Sequence, residues 1–315
     1  MTTTSRRGPA TATEVARRSA RSRFTSAWRP SSRTWFLVPG IVFLLAFSVV
    51  PIAQLVRMSV SKVIPATLNQ QWPFIGLENY IEGFTSGEIW SAIIRTAVVA
   101  AVVTFAGMVG GLAAAIALRT RGRWSAVLLA LMVFVWALPP VVNGSIWKFL
   151  FAQDGLINTL VLMTPLVSEP LPFLYDSTWA ILSVALVTAW AVVPFNALVF
   201  RASLLAIDPE VFEAAGLDGV NRWQEIWHIM LPSARPTAMV LLVLTIVYGF
   251  RSFDFIYVMT FGGPGGATNT LPFYGYVEAF NRYDFGAGAA ASVVSVLLVV
   301  VLAAIYSGSI MKEEK

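Results

Sequence analysis

Six uninterrupted apolar stretches, at 35–56, 92–118, 125–150, 178–200, 237–259 and 287–310, constrain this chain more than any other feature of it. Each is long enough, at about 1.5 Å rise per residue, to cross a hydrocarbon core of about 30 Å as a tilted helix. A lipid-facing barrel strand would alternate apolar and polar side chains, whereas 97–118 is apolar all round. The expected fold is therefore all-α, a polytopic membrane protein with six transmembrane helices. Only 12% of the 315 residues are charged and 57% are hydrophobic, against roughly 25% charged in soluble domains. That balance excludes a soluble enzyme. With no Cys and a single His, His228, the chain has no disulfide or thiolate chemistry and little material for a metal centre or a Ser-His-Asp triad.

Charge placement sets the expected orientation. The leader at 1–34 carries Arg6, Arg7, Arg17, Arg18, Arg21, Arg23, Arg29 and Arg33 against Glu14. Its composition predicts a disordered cytoplasmic tail drawn to anionic lipid headgroups rather than a nucleic-acid arm. The first span is too long for a cleaved signal peptide and is read as a retained anchor. With that end inside, Arg119, Arg121, Arg123, Arg201, Arg222, Arg235, Lys312 and Lys315 are also inside. Only Arg57, Lys62, Arg95, Lys148 and Arg282 fall outside. This is the positive-inside pattern, with both termini cytoplasmic.

Prolines interrupt three spans: Pro51 the first, Pro139 and Pro140 the third, Pro194 the fourth. Such breaks bend helices and often border a cavity. Gly107, Gly110 and Gly111 suit close helix contact. Between the fourth and fifth spans, the inner loop at 201–235 looks folded. Asp208 is a good N-cap, Pro209 suits the first helical position, and Glu210 and Glu213 favour the positive end of the helix dipole. Gly219 stops that helix. Asn221 with Gln224 then opens an amphipathic helix through Trp223, Ile226, Trp227 and Met230, ending at Pro232. In the outer half of the fifth span, Arg251 and Asp254 fall one helical turn apart, an expensive place for charge. They either neutralise each other or hydrogen-bond a solute.

The loop resembles the permease subunits of binding-protein-dependent ABC importers. Their hallmark is Glu-Ala-Ala, three residues, Gly, nine residues, then Ile-x-Leu-Pro; here it reads Glu213, Ala214, Ala215, Gly219, Ile229, Leu231 and Pro232. Seven matches at ordinary residue frequencies would arise by chance about once in 10⁸ positions, so the spacing is informative. A second stretch, Thr260-Phe-Gly262-Gly263-Pro264 followed by Thr268, Thr270 and Leu271, resembles the maltose-type carbohydrate branch, as do Gly155, Asn158, Leu174 and Asp176.

The resemblance implies a type I ABC importer permease fold over 35–315, in a bacterial inner (plasma) membrane. It implies a second homologous permease, two copies of a cytoplasmic ATPase and an extracytoplasmic solute-binding protein as partners. Asp208, Glu210, Phe212, Glu213, Ala214, Ala215 and Gly219 would engage the ATPase, and Gly262, Gly263 and Pro264 would meet the binding protein. Sugar-facing positions would be Thr188, Ala191, Val192 and Phe195 in the fourth span, then Thr245, Gly249 and Ser252 in the fifth. The amides found in the family at the last two are absent here. No Gly-x-x-x-x-Gly-Lys-Ser/Thr loop occurs, so ATP and Mg belong to the partner ATPase and no cofactor is expected on this chain. The expected solute is a disaccharide such as trehalose or maltose, passed by alternating access as the ATPases close and drag 208–217. The alternatives are an ABC permease for a non-sugar solute and an ion-coupled secondary transporter, for which Asp254 is the one acid within a span.

Overall fold

The computed structural model describes residues 32–120, 122–165 and 167–313, and within these the side chains of 35–304. The Arg-rich leader up to residue 31, Arg121 and Lys315 lie outside the described residues. The chain divides into two compact units, 1–54 and 55–315. In the first, a 3₁₀ turn, Ser32–Leu37, leads into α1 (Val38–Ser59), which runs unbroken through Pro51. The stretch Trp35–Ser59 has a mean hydropathy of 2.5, ample for a span.

The second unit is built on three long helices: α3 (Glu88–Ala117), preceded by the short α2 (Glu78–Thr85), then α7 (Ser177–Leu205) and α10 (Leu231–Phe250). Small residues let them approach closely. A Cβ on Gly111 would lie 2.5 Å from the Cβ of Asn196, and one on Gly249 would lie 2.9 Å from the Cα of Ala100. Val99 and Val103 of α3 bury against Ala185 and Val192 of α7. Nearer one end, Ala115, Phe200, Leu204, Met230 and Leu241 form a common cluster. Lipid tails are as apolar as these side chains, so close backbone packing rather than water exclusion holds the three together.

Around this trio lie α4 (Arg123–Ala137), α5 (Pro140–Leu150), α6 (Leu156–Leu162), α8 (Pro209–Leu217), α9 (Arg222–Glu225), α11 (Asp254–Met259), α12 (Leu271–Tyr276) and α13 (Phe285–Glu313). Among the described residues, five helical segments are long and apolar enough to cross a membrane, or six if the bent pair α4 and α5 is one span. That pair bends by 101° at Leu138 and Pro139. Two successive prolines withdraw two backbone donors and bar the preceding residues from helical geometry, so the third apolar stretch is two helices rather than one rod.

Three other expectations are corrected. Pro194 does not interrupt the fourth span: α7 is continuous, with Pro194 buried inside it. Packing on both sides holds the axis where one hydrogen bond is lost. The amphipathic helix does not end at Pro232. From Met230 it passes straight into α10 through a π-helical turn, Ile226–Met230, in which the Leu231 amide bonds to the Ile226 carbonyl. The widened turn relieves the clash that a proline ring makes with the carbonyl four residues earlier. The fifth apolar stretch, by contrast, does break. Its helix stops at Phe250 and resumes at Asp254, where no proline marks the sequence.

Candidate functional site

At the end of the bundle where α3 finishes and α7 gives way to α8, the chain builds a projecting helix. Asp208 accepts a hydrogen bond from the Glu210 amide at 3.1 Å and Pro209 occupies the first helical position. At the other end Gly219 turns at φ +76°, a left-handed conformation costly to residues with a Cβ. A capping box follows: Asn221 Oδ1 accepts from the Gln224 amide, and Gln224 Oε1 from the Asn221 amide. Both caps read from the sequence are therefore formed.

The faces of α8 sort the expected coupling residues. Glu210, Val211, Glu213, Ala214 and Leu217 are exposed, with Leu217 at 90%, whereas Ala215 is buried and Phe212 half-buried against the Met230 and Leu241 cluster. Phe212 thus packs α8 against the bundle, while the exposed residues of α8 form its outer face. The reason lies in position: Phe212 and Ala215 are three residues apart and share the inward face. Nothing lies within 4 Å of where a Cβ on Gly219 would sit, so its requirement is conformational and not steric within this chain.

The second candidate region is the break between α10 and α11. Thr188 of α7 and Ser252 approach to 3.3 Å between hydroxyl oxygens, Thr188 donating to the Val184 carbonyl as well. With Arg251 and Asp254 they line a cavity of about 160 Å³, completed by Tyr248, Phe253 and Phe255. Interrupting the helix turns Arg251 and Asp254 outward, and both are exposed. No ion pair joins them among the described residues. Four expected pathway residues are brought together here. Tyr248 was missed, although its spacing three before Arg251 and four before Ser252 places it on their face.

The remaining pathway candidates are used for packing. Asn196 Nδ2 donates to Thr245 Oγ1 at 3.1 Å, inside the α3, α7 and α10 contact. Gly249 is where α10 meets α3, Phe195 stacks on Trp136, and Ala191 and Val192 are buried in core clusters.

The glycine-rich loop after α11 closes on itself. Thr260 and Thr268 hydroxyls lie 2.8 Å apart, Thr268 donates to the Gly263 carbonyl, and Thr270 donates to the Ser252 carbonyl. Gly262, at φ +83°, leaves room for Asn269, whose carbonyl oxygen occupies the place of a Cβ. Thr260 and Thr268 thus close the loop on itself, and Thr270 ties it to the α10–α11 break. Asn158, fully buried, exchanges hydrogen bonds with the Leu171 backbone, and Asp176 caps α7 through the Thr178 and Trp179 amides. These matches are scaffolding for the loop before α7.

A capped helix held outside a bundle of apolar spans, with a polar break through one span, defines an ABC importer permease. The chain belongs to the family of binding-protein-dependent transport system inner membrane components, whose pattern matches residues 106–309. It is 30% identical over 274 residues to the trehalose/maltose transport system permease protein MalF of Thermococcus litoralis, covering 86% of this chain and 90% of that one. It is 33% identical over 293 residues to the sn-glycerol-3-phosphate transport system permease protein UgpA of Salmonella typhi, covering 90% and 94%. The fold matches a bacterial ABC transporter involved in the import of the acidic polysaccharide alginate, with a TM-score of 0.76 over 91% of this chain and 99% of that one at 20% identity. It is thus a multi-pass inner membrane permease subunit of an ABC transporter complex that includes a binding protein and ATPase subunits. Hydrolysis belongs to the separate ATPase, and the permease subunit binds no cofactor.

Proposed function

We propose that this chain is one half of a heterodimeric pore that passes a carbohydrate, of disaccharide size such as trehalose or maltose, from a binding protein to the cytoplasm. The observation that carries this reading is the α10–α11 break, which gathers Thr188, Arg251, Ser252 and Asp254 around one cavity. Hydroxyls, a cation donor and an anion acceptor together suit a solute whose own hydroxyls both donate and accept. Tyr248, Phe253 and Phe255 add apolar faces for a sugar ring. A second permease completes the pathway, two copies of the ATPase sit beneath, and the leader, the 201–235 loop and the C-terminus face the cytoplasm.

In operation, ATP draws the two ATPases together, the exposed face of α8 moves with them, and Phe212 and Ala215 carry that displacement into α3 and α10. Binding-protein docking at Gly262, Gly263 and Pro264 reaches the same break from the other side through Thr270. The relative named for sn-glycerol-3-phosphate raises the reading of an anionic polyol, which Arg251 favours and Asp254 opposes. Proteoliposomes holding the complete complex, with ATP and the binding protein, test these readings. Uptake of labelled trehalose or maltose supports the proposal. Exclusive uptake of glycerol phosphate moves the solute class, and uptake driven by an ion gradient without ATP overturns the mechanism.

A further inference from the structure

We propose that the cavity between the end of α3 and the α8–α9 segment holds the headgroup of one anionic phospholipid. The cavity measures about 470 Å³. Its apolar wall is Ile116, Leu205, Phe212 and Ile226, and its polar wall is Arg119, Thr120, Arg222 and Glu225. Such a two-sided lining fits a molecule with a charged head and an apolar stem.

Arg119 is held for this task. Its guanidinium sits 3.6 Å from the centroid of the Phe212 ring, which fixes it over the cavity. The carbonyl at the end of α3, on Leu118, is already taken by Arg201 Nε at 2.8 Å and by Ser125 Oγ at 2.9 Å. Arg119 therefore has no capping duty. Among the described residues, neither Arg119 nor Arg222 pairs with a carboxylate within 4 Å, and Glu225 pairs with neither. Two guanidinium groups and one carboxylate leave one net positive charge, the complement of a single phosphodiester. Arginine forks match phosphate oxygens in pairs.

Depth in the membrane supports the same occupant. The apolar run of α3 ends at Ala117, two residues before Arg119, so the cavity lies at the headgroup level. Trp124, Trp223 and Trp227 stand exposed at this end of the bundle, at 80%, 70% and 62%. Tryptophan at that exposure suits the lipid interface. A headgroup there would touch Phe212 and Arg222 at once, bridging α8 to the helix that continues into α10. The site rests on the family and membrane reading and is independent of which solute is carried.

The test uses the full complex in detergent, incubated with phosphatidylglycerol and examined by native mass spectrometry. The wild-type complex should retain one phosphatidylglycerol that Arg119→Gln with Arg222→Gln loses, occupancy falling by about tenfold. Arg119→Lys with Arg222→Lys should restore most of it. Glu225→Gln should tighten retention, and it guards against a double variant that fails to assemble. Unchanged retention in both Arg119→Gln/Arg222→Gln and Glu225→Gln overturns the site. Equal retention of phosphatidylcholine or phosphatidylethanolamine overturns the anionic headgroup. Displacement by millimolar inorganic phosphate overturns the lipid and leaves a free-anion site.

Discussion

Asn196 and Thr245 hydrogen-bond to each other at 3.1 Å across the contact of α7 with α10, and both side chains are fully buried. Thr245 therefore serves the bundle. Replacing it by Val keeps the shape and strands the Asn196 amide, a cost of about 1 kcal/mol in a membrane interior. The expected outcome is a lower thermal midpoint in detergent with an unchanged solute preference. A changed preference would return Thr245 to the pathway.

Gly219 supports a second prediction. Its φ of +76° with open space around it makes backbone strain the whole penalty within this chain. Gly219→Asn, tolerant of this conformation, should retain most coupling, whereas Gly219→Val should cost about 1–2 kcal/mol at the turn. Coupling is read as stimulation of ATP hydrolysis by the loaded binding protein in nanodiscs. Glu213→Ala, which removes one exposed contact on α8, should reduce stimulation more mildly than Gly219→Val. Full stimulation and full uptake in all three would mean that α8 is not the coupling element.

Local chemistry explains why these caps were legible and other features were not. Asp208, Pro209, Asn221 and Gln224 act within a few residues of themselves, so their types announce their bonds. Spans announce themselves because lipid tolerates only closed backbone. The break at Arg251–Phe253 leaves no such mark: its ends are held from afar, by the Thr270 hydroxyl on the Ser252 carbonyl and by Thr188 on Ser252. The inward packing of Phe212 was hidden for the same reason: on a short exposed helix its contacts with Arg119 and the Met230 cluster come from distant segments of the chain. Pro194 shows the converse, a local breaker overruled by the packing of a central span.

Just past the π-helical turn Val277–Asn281 that follows α12, Arg282 donates to Glu88 at the start of α3 at 3.1 Å and to Glu278 within that turn at 2.7 Å. The pair is unequal: the Glu278 side chain is 6% exposed and that of Arg282 is 54%. Burial pushes the Glu278 carboxyl above the usual glutamate range; Arg282 offsets part of this, while Glu88 and Asp284 push it up again. For Arg282 burial acts downward, but Glu278 and Glu88 outweigh it and the guanidinium stays charged. The Tyr274 phenol, raised by its own burial and then by Glu278 and Glu88, stays neutral.

Since the folded value of Glu278 exceeds its unfolded value of about 4.3, its contribution is full below that value and is lost as pH rises through the raised one. The thermal midpoint should fall over that window. Glu278→Gln should flatten the fall, and Arg282→Gln should extend it to higher pH. A midpoint in Glu278→Gln that tracks the wild type would assign the dependence elsewhere.

Orientation is open to direct labelling because the chain contains no cysteine. A cysteine introduced at Gly266, in the loop after α11, should react with an impermeant maleimide from outside intact cells. One at Asn221 should react only after permeabilisation. Reversed labelling would invert the assignment of both ends and of the α8 surface.

Arg251 and Asp254 decide whether the α10–α11 break lines the pathway. In a structural pair, removing one partner strands the other's charge, and removing both restores much of the loss, so the two effects would be strongly coupled. The structure has no ion pair between them, and both are exposed beside the hydroxyls of Thr188 and Ser252. Each should therefore act on the solute separately. A hydrogen bond to a charged group contributes about 1.5–3 kcal/mol, so Arg251→Gln and Asp254→Asn should each reduce uptake by about tenfold or more. The double variant should show the product of the two effects, with a coupling below about 0.5 kcal/mol. Binding of the ATPase, measured by co-purification, should be unchanged in all three. If the double variant transports better than either single one, the residues compensate each other and the solute passes elsewhere.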